Sequence, residues 1–576
     1  MLRRMRTVFV LALVAACSAP GPKTSTVTSD DVPERFEDLA YFVANHLYRT
    51  EPASAVSLGL HKFDGVLPDR TPAALTETQR LLEGDRDALL KFDTKQMTPL
   101  QHDERDVLLT AIRTRLFTLV DLDAFRRNPM SYSSSINLSE YIIRDYAPAF
   151  TRAAGVIKLC SGLPAYLAQA RTNLVTPMPR PWIDTALIQT KGLLQFADTD
   201  VRQTFSTITI PLANQAEIDP ALDTCKAALA EHAAWLVAQQ PHGTQDFRLG
   251  APKFLKMLAD TQGVELDLGR LQAIADADLR RNLAGLDEAA RDIDAKKSTA
   301  EVVALMANDR PSVAEVLAVA TAQAKAARQF LVDNNLVSIP GSDDAIVKES
   351  PSFLRWNAAF MEAPGPFETT PLPSFYYISP PDPAWPAAEQ TAYLPPRADL
   401  LFTTIHEVYP GHYLHRLHMK QNPSKVLQAF CTYSTSEGWA HYAEEMMFDA
   451  GISGQTPQAR IGMLKEALLR DVRFVATLGL HTGTLSVDEA TKLFADKGFV
   501  DAANARQQAV RGTFDPMYLA YTLGKLMIKN LYTDWRKLHR TGSLGEFHDE
   551  FLSHGCAPIP VIRRALLGPA AVGSPL

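Results

Sequence analysis

Ten of the chain's 38 prolines fall between Pro364 and Pro396, and they set the first limit on what the chain can form. Proline lacks the N–H an α-helix needs, and its ring collides with the preceding turn. The density predicts an extended segment that no helix crosses. Within it, Phe375-Tyr376-Tyr377-Ile378-Ser379 has the aromatic and β-branched make-up of a short strand. Phe367, Trp385 and Tyr393 add further aromatic surface, which a solvated linker would lack. The segment is therefore expected to pack against the protein and lead into a helix starting near Ala398.

Elsewhere the chain reads as helix. Phe36, Leu39, Ala40, Val43 and Leu47 recur at helical spacing, as do the apolar positions of 101–120, 221–238 and 312–332. At 576 residues the chain exceeds one ordinary core. The expected class is mainly α, with a helical scaffold lobe over 32–340 and a catalytic lobe over 341–576 forming one unit. A formal charge of −7 argues against nucleic acid as a partner.

The start of the chain is a targeting segment. Arg3, Arg4 and Arg6 precede an apolar run from Val8 to Ala16, too short to span a bilayer. Val14-Ala15-Ala16-Cys17 is similar to a bacterial lipobox, which implies a signal peptide over 1–16 and lipidation of Cys17. Residues 17–31 then serve as a Ser/Thr/Pro-rich tether. These features place the protein at the bacterial cell envelope, anchored to a membrane (the outer one) and facing the periplasm. Cys160, Cys225, Cys431 and Cys556 are far apart and form no CxxC pair. In a chain with ample core they are expected as buried free thiols, with disulfides the alternative in an oxidising compartment.

The chemistry is concentrated after the proline segment, in His406-Glu407-Val408-Tyr409-Pro410-Gly411-His412 and in Glu437-Gly438-Trp439-Ala440-His441-Tyr442. Zinc takes imidazole nitrogen and carboxylate oxygen in a tetrahedron and keeps one position open for water in catalytic sites. On a straight helix the six-residue step from His406 to His412 turns about 600°, leaving the two side chains about 120° apart. Pro410 ends the helix, Tyr409 before it is pushed from helical angles, and Gly411 gives freedom to re-aim His412. His406, His412 and Glu437 are the candidate metal ligands, and Glu407 can take a proton from a metal-activated water. Glu437 also fits a capping box with Ser434. His441 and Glu444 follow it on the same helix. Glu444 could hold a ligating imidazole by its other nitrogen. His441 could stand behind the ligands or touch substrate. His415 and His418 offer alternative ligands, although a solvated basic turn with Arg416 and Lys420 explains them more simply. Trp439, Tyr442, Met446 and Met447 read as core.

HExxPGH followed by EGWAxYxE resembles the DUF885 family of bacterial proteins, which is grouped by resemblance with gluzincin-type zinc metallopeptidases. The resemblance implies a two-lobed helical metallopeptidase-like fold with a deep cleft. It implies one Zn2+ on His406, His412 and Glu437, with Glu407 as general base. It also points to Arg511, Pro516 and Tyr521. A Tyr521 hydroxyl, with His441, could stabilise an oxyanion, and Arg511 could bind a substrate carboxylate. Met517-Tyr518-Leu519 stands where the family usually carries Gly-Gln-Ala. The expected function is zinc-dependent hydrolysis of peptide amide bonds. The rival is a non-catalytic peptide- or ligand-binding lipoprotein that keeps the cleft. A serine esterase has little support, since no GxSxG elbow is present.

Overall fold

A computed structural model describes residues 35–207, 212–351, 354–355, 358–568, 571 and 576. The signal peptide, Cys17 and the tether lie outside the described residues. The described chain is mainly helical, with one three-stranded sheet. No described helix is long and apolar enough to cross a membrane.

The helical periods of the sequence become helices. Phe36–Thr50 buries Phe36, Leu39, Ala40, Val43 and Leu47. Pro99–Leu116 starts at a capping box, in which Thr98 and Gln101 each bond the other's backbone N–H. Leu212–Gln239 covers the stretch 221–238, and Val316–Asp333 takes in that of 312–332 from Val316 onward. One hydrophobic core joins distant parts of the chain, with Leu39, Leu108, Phe402, Trp439 and Trp535 all in it. A second core gathers Tyr132, Leu163, Leu222, Leu480 and Phe494, and Tyr521 lies at its edge.

The two cysteine pairs are disulfides, which corrects the expectation of free thiols. Cys160 and Cys225 tie helix Ala149–Asn173 to helix Leu212–Gln239, with Cα atoms 4.8 Å apart. Cys431 and Cys556 join segments 125 residues apart in sequence, at a Cα separation of 4.6 Å. Spacing hid both pairs because tertiary packing, not sequence proximity, brings the thiols together.

In the proline segment, the expected strand is β3 (Phe375–Ile378), buried at every residue. It pairs in parallel with β1 (Ile346–Glu349) and antiparallel with β2 (Ala359–Glu362), in the order β1-β3-β2. The sheet is fastened to helix Arg397–Glu407 by a hydrogen bond between Tyr376 and Thr404 hydroxyls, 3.3 Å. The expectation of no helix here needs correction: Ala387–Tyr393 is helical. Pro386 and Pro395 flank this short helix without entering it, so neither breaks its hydrogen bonds.

Five buried histidines have pKa values driven down by burial: His232, His415, His481 and His548 to about 4, and His441 to about 3. Each binds its proton less well folded than unfolded, where the ordinary value is about 6.5. Below that pH the unfolded chain therefore holds more protons, so stability must fall as the solution is acidified. The midpoint of thermal unfolding should drop steadily from pH 6.5 to about 4, and a flat midpoint across that window would contradict the packing of these rings.

Candidate metal centre

The helix Arg397–Glu407 begins at Pro396, close to the expected start, and ends at Glu407. A second helix, His412–Gln421, begins on the second histidine. Between them the backbone makes a wide turn. Gly411 N–H donates to Ile405 carbonyl at 3.0 Å, and Leu414 N–H donates to Val408 carbonyl at 3.2 Å. The Tyr409–Pro410 peptide is cis. Gly411 is required by space: a Cβ there would overlap the carbonyl of His406. The Pro410 carbonyl accepts a hydrogen bond from the Trp439 indole, 2.8 Å. The interruption is thus held from the helix that carries Glu437.

That helix, Tyr433–Asp449, starts after Thr432, two residues earlier than a Ser434 cap would need. Glu437 therefore lies inside the helix and does not cap it, which removes the capping-box alternative. The helix packs on Ala520–Leu538 through two facing glycines. A Cβ on Gly438 would come within 2.6 Å of the Gly524 Cα. This approach brings Glu437 and Tyr521 to one site.

His406, His412 and Glu437 converge. One ligand atom from each lies within 4.8 Å of the other two. Glu437 Oε2 is 3.4 Å from His406 Nε2 and 3.3 Å from His412 Nε2. The two rings are nearly perpendicular, with centroids 4.8 Å apart. Bonds of zinc length place neighbouring tetrahedral ligand atoms about 3.3–3.5 Å apart. Glu437 Oε2 is also buried and accepts no hydrogen bond from the protein. An acceptor oxygen facing two imidazole nitrogens without a bond is what a cation between them would satisfy. The donor set fits zinc.

Glu444 contacts the first of the two imidazoles. Its Oε1 lies 2.6 Å from His406 Nδ1, which leaves Nε2 for a metal. Arg470 reaches the same oxygen at 3.0 Å and approaches His406 Nδ1 at 3.2 Å. Burial alone would raise the Glu444 pKa, but Arg470 and the two neighbouring histidines hold it well below the usual range. Burial and Arg470 oppose a charge on His406, yet Glu437 and Glu444 lift its pKa to about 9. Burial likewise opposes ionisation of Glu437, and His412 and His406 outweigh it. Positive charge is thus favoured where the three ligand atoms meet. Glu407 behaves differently: burial raises its pKa, and its carboxylate accepts the Met361 N–H of β2.

The other candidates are distributed around this centre. Tyr521 stacks on His406 with centroids 6.2 Å apart, and burial raises its pKa. Arg473 sits 4.9 Å above the Tyr521 ring. Arg511 is committed to Asp515 at 2.9 Å and to the Tyr433 hydroxyl at 2.8 Å, and Tyr433 packs against Tyr521. His441 is buried with its Nδ1 3.6 Å from Glu444 Oε2 and neither ring nitrogen hydrogen-bonded. It lies on the far side of Glu444 from His406, which touches the same carboxylate. His415 and His418 bond the carbonyls of Gly555 and Ser338, both at 2.9 Å, and do not join the three converging side chains; His415 is buried, whereas Arg416 and Lys420 are exposed and His418 is half-buried, so the basic turn is solvated apart from His415. Trp439, Tyr442, Met446 and Met447 are buried core. Arg470 and the Met361 N–H were not found from sequence. Arg470 shows there only an i,i+4 pairing with Glu466, which any surface helix can carry.

Residues 52–566 match the model of DUF885, described as a bacterial protein of unknown function, and the chain belongs to that family. Two solved structures share the fold. One is a proposed lipoprotein of unknown function from Shewanella oneidensis, 22% identical, with a TM-score of 0.78, covering 93% of this chain and 100% of its own. The other is a proposed lipoprotein from Colwellia psychrerythraea, 16% identical, with a TM-score of 0.79, covering 92% of this chain and 98% of its own. No curated protein matches the chain.

Replacing Glu444 by Gln removes the charge behind His406 while keeping its shape. Zinc affinity, measured by competition with a chromophoric chelator, should weaken by about tenfold or more. Unchanged affinity would show that this carboxylate does not support a ligand.

Proposed function

We propose that this protein is a zinc-dependent hydrolase that cleaves amide bonds in short peptides. The observation that carries the reading is the spacing of Glu437 Oε2 from two imidazole Nε2 atoms, 3.4 and 3.3 Å, with no hydrogen bond in between. When bound there, zinc would polarise the scissile carbonyl and lower the pKa of water.

The protein's own groups supply the rest. Glu407 is adjacent to the first ligand, and its burial-raised proton affinity suits a base that takes a proton from water and returns it to the leaving amine. Tyr521, whose hydroxyl stays protonated at neutral pH, donates to the oxyanion that develops on the carbonyl. Arg511 steadies Tyr433 against Tyr521, and His441 backs Glu444. The substrate lies in a deep cleft of the metallopeptidase kind, with β2 beside Glu407 and Tyr521 on the other flank. The lipobox at Cys17 and the proposed lipoprotein character of the two structural relatives support an anchored protein facing the periplasm, at the outer membrane.

Purified protein should carry about one zinc per chain, and His406→Ala should lose it. Glu407→Gln should keep the metal and lose peptide hydrolysis by about 100-fold or more. Retained hydrolysis in Glu407→Gln would reject the mechanism. Bound zinc with no hydrolysis by the unaltered protein would favour a binding lipoprotein.

A further inference from the structure

Arginines near the metal centre are mostly committed. Arg470 is held by Glu444 and Glu466, Arg511 by Asp515 and Tyr433, Arg473 by Gln508, and Arg144 by Glu140 and Glu362. Arg416 differs. Among the described residues it makes no hydrogen bond and no ion pair, and solvent reaches it.

Its position follows from helix geometry. Arg416 lies four residues after His412 on His412–Gln421, so the two share one face. Other faces of the helix turn into the protein, where Tyr413 bonds the Asp343 carbonyl, His415 that of Gly555 and His418 that of Ser338. Long side chains on a helix lean toward its N-terminus, which carries the Arg416 guanidinium back over the turn of His412. Its surroundings agree. Protein packed about it lowers its pKa, and the carboxylates that attract it are Glu407, Glu437 and Glu140. Two of these belong to the metal centre. An unpaired guanidinium beside such a centre offers a planar fork for a carboxylate.

We propose that Arg416 anchors a carboxylate carried by the substrate, so that the site acts on peptides with an anionic group about one or two residues from the cleaved bond. One helical turn is about 5.4 Å and an extended residue about 3.5 Å, which sets that reach. The carboxylate is either the free C-terminus of the peptide or an acidic side chain. The inference rests on the hydrolase reading for the word cleaved, and its test does not require turnover.

Three peptides are titrated by calorimetry into zinc-loaded Glu407→Gln protein: Ala-Phe-Ala-Ala as the free acid, the same peptide as its C-terminal amide, and the amide with Glu in the last position. A charged peptide should bind about tenfold or more tighter than the neutral amide, the worth of one charge-assisted contact. Whichever charged peptide is preferred identifies the carboxylate. Adding Arg416→Met should abolish the preference, and Arg416→Lys should keep part of it, with zinc content near one per chain in both. Equal binding of all three peptides, or a preference that survives Arg416→Met, would overturn the anchor. An Arg416-dependent preference in a protein that never hydrolyses these peptides would leave the anchor standing and remove the hydrolase reading. Equal binding by a protein that does hydrolyse them would remove the anchor alone.

Discussion

The candidate metal centre depends on a helix that is stopped by a missing donor. Pro410 has no N–H to give the His406 carbonyl, so the helix ends at Glu407, and the chain must turn before His412. Left alone, such a turn would float. Here Gly411 packs where no side chain fits, two wide backbone hydrogen bonds close the loop, and the Trp439 indole holds the Pro410 carbonyl. Since Trp439 is two residues beyond Glu437, the carboxylate and the loop that aims the second imidazole are fixed by the same short piece of helix.

Behind this arrangement is an unusual amount of buried charge. Lys525 is fully buried, 2.8 Å from Asp278 and 3.3 Å from Glu445, and Arg281 reaches Glu445 at 2.6 Å. Nearby, Asp471 accepts from Asn282 and Thr522 while burial pushes its pKa to about 7. Taking charges out of water costs several kcal/mol per ion (roughly), so such groups persist where each has partners of opposite sign. Glu444 and Glu445 are adjacent yet serve two networks, the first turned to His406 and Arg470 and the second to Lys525, Arg281 and Lys529. Consecutive helical positions point in different directions, so one helix can tie the candidate metal centre to the ionic network beyond it.

The helical class, the strand at Phe375–Ile378 and the grouping of His406, His412 and Glu437 were legible in the sequence because each rests on local order: a period, a run of aromatics, or a motif with a proline at a telling position. Glu444 was legible too, since its spacing from Glu437 puts both on one helix. Contacts across the chain were not. Arg470 meets His406 only through packing, and nothing local marks Gly524 as the partner of Gly438. The thiols of 160 and 225 meet only when two long helices pack. Local pattern also misled: Ser434 and Glu437 have the letters of a cap, but tertiary contacts start the helix at Tyr433. Thr432 N–H is bonded to the Cys556 carbonyl, and the Thr435 hydroxyl to that of Ala557.

These last bonds, with the Cys431–Cys556 disulfide, attach the entrance of the Glu437 helix to a segment 125 residues further along. During synthesis the two histidines and the carboxylate emerge well before that segment. The carboxylate helix gains its final tether only when the distant partner has folded back and an oxidant has joined the thiols. A chain whose thiols are still reduced therefore lacks one fastening of the helix that carries Glu437, so oxidation completes what translation begins.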